Sequence, residues 1–403
     1  MMILSMLEEG KITAEDAIKL IEALEAEEIS EKKINTNNGE HAEENNNNFR
    51  EEKPSRPIFN TLEDIGSDIG NALSNVFSGL KDIGSNFNFR NNYETISTDL
   101  DLDICDIEAP SLDLKAVNGG IKVRNTDKDK MLIKSTIQYK NGLISNGEQY
   151  FDFYTEGNNI IFVPRYNSNI SIKLDVFLPH KQYDKVMLNS TNGKIDIGEL
   201  STNTLNCITS NSSIDVVEVD AKEMDLTTKN GRIEIRDSNC GVIRAATTNS
   251  NIYLMDVSCN DIDVKTANAK ISLNDIDSSK IICKTSNASI EANDITSDIL
   301  YLNTSNGRII CNDIDIDRVN DIRLITSNAS INTEFLKTER DVYLDLETSM
   351  GNINLEMPNL IYKTNKQINL GIKKIVAHSV NYDENKDHIK VAALTSNGSI
   401  KIS

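Results

Sequence analysis

The stretch "TSNASIEANDITSDILYLNTSNGRIIC" runs from Thr285 to Cys311 and contains the tripeptide Thr-Ser-Asn twice. After each Asn come a small residue, one variable residue and Ile. The same phrase recurs with a constant spacing of 19 residues. Its Asn occupies seven positions in this series: Asn192, Asn211, Asn230, Asn249, Asn268, Asn287 and Asn306. A fixed period of this size is the sequence signature of a repeat architecture.

Less regular copies flank this series. A loose copy, "AVNGGI", surrounds Asn118, and further copies end at Asn328 and Asn397. In "TSMGNI", Met350 takes the place of Asn. The spacing grows to 22 residues twice after Asn306 and then to 47 residues. The long interval contains "IYKTNKQINLGIKKIVAHSVNYDENKDHIKV", which predicts an inserted pair of longer strands.

Within one copy, apolar residues alternate with polar ones. Counting from each of the seven Asn, Ile always stands three residues on, and most copies carry another apolar residue at position five. In the first six copies, apolar residues also stand at positions 13 and 15, and Thr stands at position 17. The seventh copy has Arg323 there instead. This pattern predicts two short strands joined by a corner, with equivalent side chains facing inward in every copy.

Two architectures fit such strands, namely a hairpin in every repeat or a solenoid with one coil per repeat. A type I′ hairpin needs positive φ at both central residues. The residue after Asn is Ala at positions 269, 288 and 329, and Ala is poorly suited to positive φ. The sequence therefore predicts a mainly β fold, a parallel, β-helix-like β-solenoid with coils of about 19 residues. We expect the seven Asn to stack as a structural ladder at one corner, with Thr in a second column beside them.

The sequence predicts four segments along the chain. Residues 1–28 form a small helical hairpin, with Gly10 as a helix stop and Thr13 as an N-cap. Residues 29–54 are an Asn-rich, acidic, disordered linker. Residues 55–90 form an amphipathic helix, and residues 91–403 form the solenoid. The apolar stripe between residues 58 and 87 can cap the solenoid, self-associate or contact a membrane surface peripherally.

A carboxylate stands seven residues after every Asn of the regular series. These candidate ligand-binding residues are Glu199, Glu218, Asp237, Asp256, Asp275, Asp294 and Asp313. In a solenoid they form one acidic column about 29 Å long, because neighbouring coils are ~4.8 Å apart. One interpretation is that each carboxylate accepts backbone N–H groups in an Asx-type turn. The other is a track for a cationic peptide or Ca²⁺, of which the metal version is the weaker, since no glycine-rich calcium repeat is present.

Composition and motifs exclude several classes of function. A net charge of −20 over 403 residues argues against nucleic acid as a partner. The six Cys include no close CxxC pair, and no nucleophile motif, phosphate-binding loop or HExxH motif is present. We therefore expect a non-enzyme with no cofactor, no metal and no catalytic residue. The sequence also lacks a signal peptide and a run of 18 apolar residues, which predicts a cytoplasmic protein.

The "TSNGxI" coils, preceded by "IKLDVFLPHKQYDKVMLNSTNGKIDI", resemble the β-strand repeat family labelled "putative adhesin", a domain of unknown function. The segment "LEEGKITAEDAIKLIEAL" resembles the SHOCT-like helical hairpin that precedes such repeats in bacterial envelope-stress proteins, including the Lia-system protein. The resemblance covers residues 3–26 and about 95–403. It implies a non-enzymatic protein of the envelope-stress response that senses cationic antimicrobial peptides, and it supplies no catalytic residue.

The sequence is compatible with three functions. The first is a binding or regulatory scaffold, with the acidic column as ligand surface and the hairpin as a module that docks on a protein. The second is a structural surface adhesin. The third, and least favoured, is a polysaccharide-acting β-helix enzyme, because the carboxylates follow the repeat and Trp is absent.

Overall fold

The computed structural model describes residues 92–143, 148–335, 340–367 and 371–403. The predicted hairpin, linker and amphipathic helix lie outside the described residues. Within them the regular secondary structure is β, in 23 strands. The described residues contain no helix with the length and apolar character needed to cross a bilayer.

Six coils of identical length form the regular part of the fold. Consecutive strands pair in parallel, and their paired residues are 19 positions apart, as Ile233 and Ile252 are. The predicted parallel β-solenoid with 19-residue coils is therefore confirmed. Its six regular strands are β9 (Ile195–Thr209), β10 (Ile214–Thr228), β11 (Ile233–Thr247), β12 (Ile252–Thr266), β13 (Ile271–Thr285) and β14 (Ile290–Thr304).

The core lies inside the coils, and its side chains repeat from one coil to the next. The Ile residues three positions after each Asn are fully buried, as Ile252 and Ile271 are. Positions five, 13 and 15 are buried in the same way, so each inward position makes a continuous apolar column. Each buried Val, Leu or Ile side chain contributes about 1.5–3 kcal/mol relative to exposure, which is why the inward positions tolerate only small changes of size.

The corner at the Asn residues is held by amide ladders. Each Asn side chain donates from Nδ2 to Oδ1 of the Asn in the preceding coil, at 2.5–2.9 Å. Asn118 accepts from Asn192 at one end, and Asn397 donates to Asn328 at the other. The Thr column links successive corners differently: Thr228, for example, donates to the backbone carbonyl of Ser212 at the preceding corner.

Eight strands precede the regular coils. They are β1 (Tyr93–Asp103), β2 (Ser111–Ala116), β3 (Asn118–Thr126), β4 (Lys130–Lys140), β5 (Phe151–Glu156), β6 (Asn159–Pro164), β7 (Ile170–Pro179) and β8 (Gln182–Ser190). On one side of the solenoid the strand order is β1–β4–β7–β3–β9, and on another it is β5–β6–β2–β8–β9. β1 with β4, β4 with β7 and β5 with β6 are antiparallel, so this end departs from a simple coil.

Nine strands follow the regular coils. They are β15 (Ile309–Ile314), β16 (Asp321–Ile325), β17 (Ile331–Phe335), β18 (Asp341–Thr348), β19 (Ile353–Leu355), β20 (Leu360–Gln367), β21 (Lys373–Ser379), β22 (His388–Thr395) and β23 (Ile400–Ile402). β20 and β21 form the predicted inserted pair and are antiparallel. β22 lies between β16 and β18, so the last part of the chain enters the stack between two earlier coils.

The break at Arg323 has a physical reason. The coil that begins at Asn306 is three residues longer than the regular ones, so Thr326 takes the place of the repeated Thr and donates to the carbonyl of Gly307. Arg323 consequently faces outward, where its guanidinium lies 4.9 Å from the ring centre of Tyr301 and pairs with Asp321.

Candidate functional site

Every carboxylate of the predicted acidic column occupies the same bend in its coil. All seven have a left-handed backbone, with φ between 50° and 56°. The following residue turns back into the core, as Val257 and Ile276 do. Asp and Asn adopt this conformation more often than most residues other than Gly. The left-handed position of the coil is therefore at the carboxylate and not after the Asn.

The seven carboxylates face solvent. Each residue of the column is exposed, while its neighbour on the C-terminal side is buried. Adjacent members lie on adjacent parallel strands, one per coil, which gives the ~4.8 Å spacing expected of this arrangement. The acidic column (Glu199, Glu218, Asp237, Asp256, Asp275, Asp294 and Asp313) is thus one continuous line of exposed negative charge.

The carboxylates of the acidic column do not cap turns by hydrogen bonds from described backbone N–H groups. None of the seven accepts a hydrogen bond from a described backbone N–H, whereas Asp103, Asp315 and Asp383 each do so from the residue two positions on. The column meets the conformational demand of the bend through residue type, and its side chains are exposed, so that a ligand in solvent can reach them.

A second set of acidic residues, on another face of the coils, provides a contrast. These carboxylates stand four residues after the Asn and are paired with cations of their own or neighbouring coils. Lys194 contacts Asp215 at 2.5 Å, and Lys270 contacts Glu291 at 2.5 Å. Sequence reasoning did not identify these pairs, although a cation two residues after Asn in several copies was a visible signal. In the described part of the chain, no ion pair involves a member of the acidic column.

Asp256 is influenced by its neighbours in the acidic column. The pKa of Asp256 is raised above its ordinary value, first by partial desolvation and then by hydrogen bonding and charge repulsion from Asp275, with Asp237 adding to the repulsion. A bound cation would relieve this repulsion, because an opposite charge nearby favours the ionised carboxylate. The column is therefore electrostatically suited to a ligand that carries several positive charges.

The described residues offer little for other chemistry. They contain no group of three or more His, Cys, Asp or Glu residues placed to hold a metal ion. Cys240 and Cys259 are in-register partners on β11 and β12, and both carry free thiols. His378 and His388 lie beside the ring of Tyr382, both with centroid distances of 4.9 Å.

Two family models match the chain. Residues 152–268, from β5 to the corner after β12, match the family described as Toastrack DUF4097. Residues 1–29 match a SHOCT-like domain. The resemblance to the β-strand repeat family is thereby confirmed over residues 152–268, and the resemblance to a SHOCT-like domain over residues 1–29. Neither match assigns a ligand or a catalytic residue.

Comparison with solved structures and curated proteins adds one likeness. The chain is similar to a "putative cell adhesion protein" from Clostridium sporogenes ATCC 15579, at 12% identity and a TM-score of 0.19. That similarity covers 77% of this chain and 99% of the other. No curated protein matches the chain.

Proposed function

We propose that this chain is a non-enzymatic binding scaffold whose acidic column holds cationic peptides. The observation that supports the proposal is the column itself: seven exposed carboxylates in one line, with no ion pair to the described residues. Acidic residues on the neighbouring face are paired with Lys or Arg. The fold therefore leaves one row of negative charge unneutralised, and a ligand can supply the missing cations.

A peptide fits this row better than a metal ion. The carboxylates are spread evenly over about 29 Å, at one per coil. A metal ion needs several ligands converging on one point, and no such group is present in the described residues. An extended peptide with several Lys or Arg residues can instead contact successive coils along the column. Both Asp and Glu serve this purpose, since the attraction depends on charge and not on coordination geometry.

The proposed cellular role is based on the resemblance to envelope-stress proteins. In this proposal the chain works in the cytoplasm, and residues 1–28 dock it on a protein partner of the envelope-stress response. The segment 58–87 provides a peripheral contact with the membrane. The SHOCT-like match at residues 1–29 supports the presence of the hairpin. A pulldown from envelope-stressed cells, with residues 1–28 present or deleted, tests the docking role.

The column itself is tested with a triple variant, Asp256→Asn, Asp275→Asn and Asp294→Asn. Asn keeps the shape of the side chain and tolerates the left-handed bend, so only three charges are removed. We expect the variant to bind a Lys- and Arg-rich peptide more weakly than the unchanged chain in a calorimetric titration. The difference should shrink at physiological salt, because exposed charges are screened over about 8 Å under those conditions.

A matched control removes three charges elsewhere. Asp106→Asn, Asp127→Asn and Asp129→Asn alter exposed residues outside the column. If both triple variants lose affinity equally, only net charge matters and the proposed column has no special role. If the column variant unfolds, as judged by circular dichroism, the carboxylates are structural and the proposal is wrong.

A further inference from the structure

Exposed apolar side chains are concentrated at the C-terminal end of the solenoid. Among the described residues, Tyr154 on β5 is 48% exposed at the N-terminal end. At the C-terminal end, Met350 is 81% exposed, and Ile361 and Tyr362 on β20 are 45% and 47% exposed. The regular coils contribute Met255 to this group. Surfaces of this kind mark association sites when they are contiguous.

The inward columns remain open where the stack ends. At the C-terminal end, Leu344 pairs with Ala377, and Ala377 pairs with Tyr362. Leu344 and Ala377 are fully buried, but Tyr362, the last member of the column, is half exposed. A cavity of about 800 Å³, lined in part by Met357, Leu360 and Val380, opens at the same end. The core of the solenoid thus reaches solvent there.

The N-terminal end repeats this arrangement. Leu114 pairs with Phe162, and Phe162 pairs with Phe153 on β5. Phe162 is fully buried and stacks on Phe151 at 4.4 Å, whereas Phe153 is only partly buried. The two ends of this sheet therefore each present an aromatic residue that continues a core column and lacks the next layer among the described residues.

Both terminal strands of this sheet have a free edge within the described residues. β5 pairs with β6, and β20 pairs with β21, and neither has a second described partner strand. Their directions are complementary. β5 runs antiparallel to the coil strands of this sheet, and β20 runs parallel to them. If a second copy continued the stack in the same orientation, β5 and β20 would meet as an antiparallel pair.

Charge distinguishes the two ends. β5 carries the carboxylates Asp152 and Glu156, and β20 carries Lys363, which is exposed. With Phe153 opposite Tyr362 in an antiparallel pair, the residue opposite Lys363 is Asp152, which also pairs with Arg165 of its own chain. Two β5 edges would bring like charges together, and so would two β20 edges. An interface between one β5 edge and one β20 edge brings opposite charges together. Electrostatics therefore favours unlike ends over a two-fold symmetric contact.

We propose that copies of this chain associate head to tail, with the β5 edge of one copy bound to the β20 edge of the next. Main-chain hydrogen bonds extend the sheet, and Phe153 and Tyr362 close the open core columns against each other. The contact is heterologous, so each copy keeps one unused β5 edge or β20 edge and further copies can add. This association does not depend on peptide binding to the acidic column.

The test uses the full chain and two variants blocked at one end each. The first carries Thr155→Lys and Glu156→Lys on β5, and the second carries Ile361→Lys and Asn365→Lys on β20. All four residues are exposed, so the fold should be retained, which circular dichroism checks. Sedimentation velocity then follows mass across micromolar concentrations. The unchanged chain should grow from the 44.9 kDa monomer to species beyond the dimer.

Each blocked variant alone should stay monomeric, and an equal mixture of the two should form dimers and nothing larger. In the mixture, the variant blocked at β5 still has a free β20 edge, and the variant blocked at β20 still has a free β5 edge. These two edges can form one contact, and no further edge is left to bind a third copy. A control with Met255→Lys and Ser258→Lys, in the regular coils, should associate like the unchanged chain. A full chain that stays monomeric, a blocked variant that still dimerises alone, or a mixture without dimers would each overturn the proposal.

Discussion

At the scale of single residues, the repeated carboxylate meets two demands at once. The backbone at this position is left-handed in all seven coils, which restricts the side chain to a few types. The side chain also points into solvent, so a charged group costs little there. Asp satisfies both demands, and five of the seven positions use it. The backbone preference for Asp at this position thereby places a carboxylate in each coil, and the repeated carboxylates form a line of negative charge.

The backbone demand can be tested at one coil. Replacing Asp275 by Val should destabilise the solenoid by about 1–2 kcal/mol, because a β-branched side chain is strained in the left-handed region. Replacing Asp275 by Asn should leave the urea midpoint almost unchanged, since Asn tolerates the same φ. Equal midpoints for the Val and Asn variants would contradict the assignment of strain to this bend.

At the scale of elements, the amide ladder has a defined end. Nine successive hydrogen bonds join Asn118 to Asn397 through the intervening corner Asn residues. The next corner in space is that of Met350, whose backbone N–H bonds to the carbonyl of Ser396 as the Asn backbones do in their coils. Met350 has no side-chain amide, so the ladder ends at Asn397, one corner before the last described corner. Its 81% exposure is consistent with a position at the end of the column.

One substitution should lengthen this ladder. In Met350→Asn, the new Nδ2 is placed to donate to Oδ1 of Asn397, and we expect a stability gain of about 0.5–1 kcal/mol, the lower part of the usual range for a hydrogen bond. Met350→Asp is the matched control, because it has the same shape and no donor. Thermal melting of both variants measures the difference, and an Asp variant as stable as the Asn variant would rule out the added bond.

Most of the strands and their pairing could be predicted from the sequence, because they follow from the 19-residue repeat and from the alternation of apolar and polar residues. The 19-residue spacing fixes the parallel register, and the alternation at Ile252 and Leu254 identifies the inward face. The left-handed bend could not be assigned in this way, since a repeated carboxylate is equally typical of a capped turn. The place of β22 between β16 and β18 was also hidden, because sequence spacing does not specify which coils are neighbours when the chain turns back.

At the scale of the whole molecule, the proposed docking module and the solenoid have separate tasks. The described strands pair with one another and bury a continuous core among the described residues between 92 and 403. The SHOCT-like match is confined to residues 1–29. A module that recruits a partner through a polar linker need not contribute to the stability of the domain it carries.

Deleting residues 1–54 should therefore leave the melting temperature of the solenoid nearly unchanged. The measurement is a thermal scan of residues 55–403 beside the full chain, at equal concentration and salt. The prediction rests on the polar linker that the sequence predicts over residues 29–54, because such a linker would make the two parts independent folding units. A decrease of many degrees would show that the N-terminal residues stabilise the solenoid, and the proposed independence would be wrong.

The place of β22 also has a consequence for how the protein is made. A ribosome delivers the N-terminal end first, and coils up to β16 can add one after another as they emerge. β18 emerges before β22, yet in the finished molecule β22 separates β18 from β16. The strand β18 therefore cannot take its final neighbour until β22 has been translated. Translation of β22 thus becomes a requirement for closure of this part of the stack, and a product terminated before β22 would lack one layer.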